Sequence, residues 1–341
     1  MSSIQQLAST TNSWAKSLRQ IRSQLAEQNT GLMVLCRKEL ADHLNSKRFT
    51  IILLLIALTG MASIYAAGMG IRGAVEGKEA EFVFLRLFTT GGNSLPPFIS
   101  FVALLAPLIS LSLSFDAICG ERSRRTLSRL LAQPIYRDAV INGKFLAALI
   151  ILTVMLLSLG TLVAGLGLLL IGVPPTLEEI VRIGVFLLLT VVYMALWCAL
   201  ATLFSVIFRQ AATSALASIA VWLFFSVFAQ LLVGLMADAI FPVTDQATAQ
   251  VAFHNQQLRQ LLGRLSPATL YSEAVVAILN PSLRVLGPVM IEQIEGAIAG
   301  PLPLGQSLLL VWPHLTGLVA ATLLCFAASY VLFMRQEIRA D

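Results

Sequence analysis

The chain has 341 residues, of which 57% are hydrophobic and only 12% charged, and its mean hydropathy is +0.83. A soluble domain carries roughly 25% charged residues, so the composition excludes an ordinary soluble enzyme and puts the chain in the membrane class. The net charge of +5 implies a partner only once its distribution is known.

The first 48 residues are polar overall. The first apolar run is too long and too late for the h-region of a cleaved signal peptide, and it reads as an uncleaved signal anchor. Residues 1–31 form an expected N-terminal extension. In it Ile4, Leu7, Thr11, Trp14, Leu18, Ile21 and Leu25 fall at alternating spacings of three and four, with Lys16, Arg19 and Arg22 off that stripe. The pattern suits a helix resting on an anionic surface, and equally a short coiled coil or a segment ordered on a partner. Next comes LMVLCRKELADHLNSKRF, residues 32–49. Met33, Cys36, Leu40 and Leu44 share one face there, which predicts an interfacial helix running into the first membrane span.

Six stretches are long enough to cross about 30 Å of hydrocarbon, which needs roughly 20 helical residues. They are 49–68, 95–115, 145–171, 183–208, 211–236 and 308–334. If the N-terminus is cytoplasmic, the inside segments hold 16 of the 23 Lys and Arg and the outside segments 7. The positive-inside rule then places both termini in the cytoplasm. The basic excess is thereby a topology signal and calls for no nucleic acid. None of the predicted spans contains Asp, Glu, Lys or Arg. Ion-coupled carriers keep such groups inside the bilayer, so a stand-alone secondary carrier is disfavoured and the energy is expected from outside the membrane.

The fourth and fifth spans are parted only by Arg209 and Gln210 and form a tight hairpin. Ala211/Ala215 and Ser214/Ser218 are small-xxx-small pairs that let helices approach closely, either within the chain or between subunits. The connection 237–307 reads as a helical external cap. It has a polar helix over 246–263 and a second within 264–284, started at Ser266-Pro267 and stopped at Asn280-Pro281. Four cysteines, none in a predicted external loop, imply no disulfide framework. His43, His254 and His314 lack a second ligand at metal spacing, so no metal is expected. Glu178-Glu179 reads as a solvated helix start, and Trp312 and Tyr330 sit near opposite ends of the last span.

Residues 116–144, DAICGERSRRTLSRLLAQPIYRDAVINGK, carry nine charges between two apolar spans. Burying them in lipid at about 2.5 kcal/mol each would cost on the order of 20 kcal/mol, so the connection is aqueous. Ile118, Leu127, Leu130 and Leu131 form an apolar stripe at helical spacing. Glu121 falls in or near the first turn and Arg129 towards the last, as the helix dipole favours, and Pro134 ends the helix. The leucines either dock into a groove on a soluble protein or pack back on the chain's own helices.

The run Glu121-Arg122, Thr126-Leu127, Leu130-Leu131, Pro134-Ile135, Arg137 and Gly143-Lys144 resembles the first cytoplasmic loop of ABC-2-type permeases, the membrane subunits of ATP-binding-cassette transporters. The six spans, the Arg37-Lys38-Glu39-Leu40 run in an interfacial helix and the long connection before the last span match as well, so the resemblance covers residues 32–341. Arg125 departs from it, standing where the family often has Gly.

The resemblance implies an all-α, six-span membrane domain in which this loop is a coupling helix. Glu121, Arg122, Arg125, Thr126, Leu127, Leu130, Leu131 and Pro134 would meet a separate ABC ATPase. The chain has no phosphate-binding loop of its own; Gly73-x-x-x-Gly77-Lys78-Glu79 is one residue short and lacks the Ser/Thr. ATP and magnesium are therefore expected on the partner and no cofactor on this chain. Two permease copies, or a copy and a paralogue, would pair with two ATPases. The expected function is export across the cytoplasmic membrane. The alternative is ATPase-driven movement of an external partner without a translocated substrate.

Overall fold

The computed structural model describes residues 31–75, 82–91, 96–133, 135–243, 248–284, 286–287 and 300–336. The predicted N-terminal amphipathic stripe, the Gly77-Lys78-Glu79 run and Pro134 lie outside the described residues.

Among these the secondary structure is helical, and six helices are long and apolar enough to cross a membrane. Helix α1 covers 31–44. It is followed by α2 (Lys47–Val75), α3 (Val83–Thr89), α4 (Phe98–Ser114), α5 (Cys119–Ser123), α6 (Leu127–Leu131), α7 (Arg137–Ile171) and α8 (Leu177–Ile207). The fifth span runs as α9 (Ala211–Leu223), a π-helical turn (Phe224–Phe228) and α10 (Ala229–Ile240). Then come α11 (Ala249–Gly263), α12 (Pro267–Leu279) and α13 (Leu304–Arg335).

The spans are α2, α4, α7, α8, the α9–α10 pair and α13, and several run longer than the apolar stretches predict. Helix α7 begins eight residues early, at Arg137, and takes in Asp138 and Lys144. Helix α8 starts at a capping box, where Thr176 accepts from the Glu179 N–H and Glu179 accepts from the Thr176 N–H, so Glu178, Glu179 and Arg182 belong to it. The helices of these spans are therefore not free of charge. Their apolar middles are, and the charged end turns project beyond the roughly 20 residues that hydrocarbon requires.

Helix α8 is the axis of the bundle and packs on α4, α7, α12 and α13. Phe186, Tyr193 and Trp197 on it are among the largest fully buried side chains. Tyr193 stacks on Tyr271 of α12 at 4.2 Å, and the Tyr271 hydroxyl meets Thr190 at 2.8 Å. Buried hydroxyls satisfy themselves locally: Ser110, Thr190 and Thr202 each donate to the carbonyl one turn back, as a hydroxyl in an apolar surround requires. The fifth span lies at the rim, with Leu216, Leu231 and Leu235 exposed. Helix α3, in the connection between the first two spans, plugs one end of the bundle by burying Phe84, Leu85, Leu87 and Phe88.

The connection after the fifth span folds back against the bundle. Helix α11 turns back along α10, where Asn255 donates to Asp238 (2.9 Å) and to the Phe241 carbonyl (2.7 Å). At the hairpin tip Ser266 donates to the Phe225 carbonyl (2.9 Å) inside the π turn. The boundaries of α12 are as expected, with Ser266 as N-cap and Pro267 in the first turn. Its surroundings are not: Tyr271, Ala274, Val275 and Ile278 are buried in the bundle.

The hairpin is held by a polar cluster. Glu273 accepts from Arg264 (2.9 Å), from His314 Nε2 (2.7 Å) and from Gln260 (3.3 Å), so His314 is not isolated. Burial pushes the Glu273 carboxyl up, but His314, Arg264 and Gln260 together hold it below its ordinary 4.5. A depressed carboxylate contributes stability that is complete above the unfolded value and lost as pH falls through the folded one. Exchange protection of α11 and α12, corrected for intrinsic rate, is therefore expected to be flat from neutrality to about pH 4.5 and to fall below it. Glu273→Gln should lower the neutral plateau and abolish that pH step.

Candidate functional site

At one end of the bundle, the terminal face, α1, the 115–136 connection, the 208–210 turn and Gln336 converge. Helix α1 lies against α7 because Gly143 has no side chain: a Cβ there would sit 3.2 Å from Leu35 Cδ2 and 3.5 Å from the Leu32 carbonyl. The next residue, Lys144, has a side chain only 5% exposed, and its ammonium lies 2.8 Å from Glu39 of α1 and 3.1 Å from Glu121 of α5. Glu39 also accepts from Lys38 (3.2 Å), which in turn pairs with Asp42 (3.1 Å). At the other end, Thr126 donates to the second Glu121 oxygen. Alternating charges thus tie the interfacial helix to the connection through the start of the third span.

This chain of charges changes the face that α1 buries. The predicted apolar face was Met33, Cys36, Leu40 and Leu44. Leu35, Cys36 and Glu39 are the buried residues and Leu40 is half-buried, whereas Met33 and Leu44 are exposed. Glu39 turns inward because Lys144 is there to receive it; an unpaired carboxylate would not be buried. Arg37 and Lys38 stay exposed.

The connection does not form one helix. It breaks into α5 and α6 at Arg125, whose φ of 56° lies in the left-handed region. The Thr126 N–H returns to the Glu121 carbonyl (2.9 Å), which closes α5 as a C-terminal left-handed cap does. The residue departing from the family pattern therefore occupies the position where glycine is least strained. Arg125→Gly is expected to leave thermal stability unchanged or slightly raised, relief of left-handed strain being offset by unfolded-chain entropy. Arg125→Val should lower stability by about 1 kcal/mol, so the measured order is Gly, then Arg, then Val.

Leu127 is only 3% exposed. Its assignment to an outward docking surface is corrected: the break at Arg125 rotates α6 so that Leu127 points into the chain. Leu130 packs beside Leu35, Ile118, Val140 and Ile141, and Leu131 is in α6 with its side chain outside the described set. Arg122 donates to the Val206 carbonyl (3.3 Å) and to Gln336. Ser205 of α8, absent from the predicted site, accepts from the N–H groups of Ile118 (2.8 Å) and Cys119 (3.1 Å). Arg137 donates to the Phe333 carbonyl (2.7 Å) and lies over its ring. Ser123, Arg124, Arg125, Ser128 and Arg129 remain exposed.

In the fifth span Ser214 and Ser218 are buried, and Ser214 donates to the Phe115 carbonyl (2.7 Å). Ala211 and Ala215 are half-buried. The small-residue stripe thus includes a packing contact inside this chain, with the end of the second span. All four cysteines are free. Among the described residues no group of three or more His, Cys, Asp or Glu is placed to hold a metal ion.

A helical domain with six helices long and apolar enough to cross a membrane, its charged connection clamped to α1, defines a polytopic membrane protein. The chain belongs to the ABC-2 family: residues 33–338 match the family described as "ABC-2 family transporter protein". It is 33% identical over 203 residues to a probable ABC transporter permease protein NosY of Pseudomonas aeruginosa, covering 56% of this chain and 65% of that protein. It is also 33% identical over 142 residues to a protein of the same description from Stutzerimonas stutzeri, covering 41% of this chain and 46% of that one. The matched stretch thus spans about two thirds or less of these relatives.

Proposed function

We propose that this chain is the permease through which a separate ABC ATPase drives export, with the 115–136 connection as the coupling element. One observation carries this reading: the Glu39–Lys144–Glu121 ion chain joins the exposed, arginine-bearing connection to both the interfacial helix and the third span. A push on α5–α6 would then reach two membrane elements through charged contacts rather than through loop. The ATPase would meet Arg125, Ser128 and Arg129, while Leu127 and Leu130 brace the connection from behind. ATP and magnesium would stay on that partner, and a second permease copy would complete the assembly. The 16-to-7 distribution of Lys and Arg supports the terminal face being cytoplasmic, in the inner membrane.

The test is co-purification of the ATPase with Arg125→Glu/Arg129→Glu. Association is expected to fall at least tenfold while expression and membrane insertion hold; undiminished association would reject this docking surface. A second reading, in which the chain moves an external partner and translocates nothing, is favoured by the α11–α12 hairpin, which is bonded to the fourth, fifth and sixth spans. ATP-dependent transport in vesicles holding only permease and ATPase would exclude it.

A further inference from the structure

Between α1, the first three spans and α5 lies a cavity of about 320 Å³. Its charged lining is balanced: Lys38, Arg48, Arg124 and Lys144 face Glu39, Asp42, Asp116 and Glu121. His43 also lines it, and burial pushes its imidazole below the ordinary value, so it adds no full charge at neutral pH. Three of the cations are engaged, Lys144 with Glu39 and Glu121, Lys38 with Glu39 and Asp42, and Arg48 with Asp116 (3.1 Å). Arg124 has no ion pair among the described residues and is exposed. Asp42 and Asp116 each meet a single cation.

The wall of this cavity turns apolar along the membrane normal. Phe49 and Ile52 of the first span, Leu113 of the second and Ala148 of the third close it on that side. On the following turns of the same three spans, Ile56 and Gly60, Ile109 and Val102, and Met155 and Leu159 line a shallow apolar groove. Thr59, also on the groove, returns its hydroxyl to the Leu55 carbonyl (2.9 Å), so the groove offers no free donor.

From this register we infer a binding site for one zwitterionic glycerophospholipid of the phosphoethanolamine type. Its phosphodiester would lie at Arg124 and Arg48, its ammonium at Asp42 and Asp116, and one acyl chain in the groove. A net-neutral headgroup leaves the balanced lining neutral, whereas an anionic one would leave an uncompensated charge in a partly enclosed site. A molecule polar at one end and apolar at the other fits a site that changes character over successive turns of the same helices. The site stands independently of the ATPase-coupling proposal.

The test is native mass spectrometry of the full chain in detergent, titrated with dioleoyl phosphatidylethanolamine, dioleoyl phosphatidylglycerol or soluble glycerophosphoethanolamine. One phosphatidylethanolamine per chain is expected to survive activation that strips other lipid. Arg48→Glu/Arg124→Glu should weaken retention at least tenfold, and Thr59→Phe, which puts a ring into the groove from a half-buried position, should weaken it without a headgroup change. In parallel, a diazirine-tagged phosphatidylethanolamine should label the unaltered chain within 49–60, 105–113 and 148–159. Equal retention of phosphatidylglycerol, full competition by glycerophosphoethanolamine, or labelling concentrated on the exposed fifth span would each overturn the assignment. The labelling arm decides even if a variant fails to fold.

Discussion

Lys144→Met is expected to destabilise the protein by roughly 3 kcal/mol or more, with α1 and α5 loosening before the rest of the bundle. The substitution keeps an unbranched apolar stem of nearly the same length and removes the ammonium with its charge and donors. Two carboxylates, Glu39 at 10% and Glu121 at 19% side-chain exposure, then lose their shared cation, and removing one member of a buried ion cluster costs about 3–5 kcal/mol. Lys38 remains beside Glu39, so Glu121 suffers more. Thermal unfolding of the purified chain measures the loss, and hydrogen exchange over 31–44 and 119–131 locates it. The informative companion is Lys144→Met/Glu39→Gln/Glu121→Gln. With no charge left to desolvate, most of the stability should return, because a neutral replacement of a buried ion cluster is often close to even. If coupling runs through this chain of charges, ATPase stimulation by the permease should stay low in the triple variant. Full recovery of both stability and stimulation would reduce the cluster to a structural brace.

The six spans were legible because about 20 apolar residues in a row is the strongest pattern a sequence carries. The start of α12 was legible because Ser-Pro has a local meaning at a helix N-terminus. What escaped the sequence depended on contacts between distant segments. Glu39 and Lys144 are 105 residues apart, and nothing near Glu39 shows that it will be buried. The leucine stripe of the connection fits one continuous helix, and only the left-handed turn at Arg125 divides it and sends Leu127 inward. The polar α11 reads as solvated, yet it lies along the fifth span because Asp238 and the Phe241 carbonyl receive Asn255. Glu179 reads as a solvated helix start and is buried, since its other oxygen takes the Phe84 N–H (3.0 Å) from α3. Glu39, Asn255 and Glu179 entered the interior because a partner elsewhere along the chain was there to receive each of them.

Arg182→Met should have the second-largest effect, at the opposite face. The Arg182 guanidinium is fully buried on the outermost turns of α8. It donates to Glu178 (2.8 Å), to the Ile278 carbonyl at the end of α12 (2.9 Å), to the Leu302 carbonyl (2.6 Å) and to Ser307 of α13 (3.2 Å). One planar fork thereby ties together the entry to the fourth span, the end of α12 and the entry to the sixth span. Methionine fills much of the volume but takes the donor from the buried Ile278 carbonyl and from the half-buried Leu302 carbonyl, and a buried carbonyl left unsatisfied costs about 1–3 kcal/mol. A loss of roughly 3 kcal/mol is expected, concentrated as faster exchange over 274–284 and 300–311. Arg182→Lys should recover only part of it, because an ammonium has three donors and no fork to span four acceptors. Unchanged exchange in both segments would show that the aromatic stack of Tyr193 on Tyr271, rather than this guanidinium, holds the hairpin to the bundle. The same variants separate the two functional readings. A hairpin cut loose from the sixth span should leave ATP-driven transport running if the membrane helices alone carry the substrate, and should abolish work on an external partner if the hairpin delivers it.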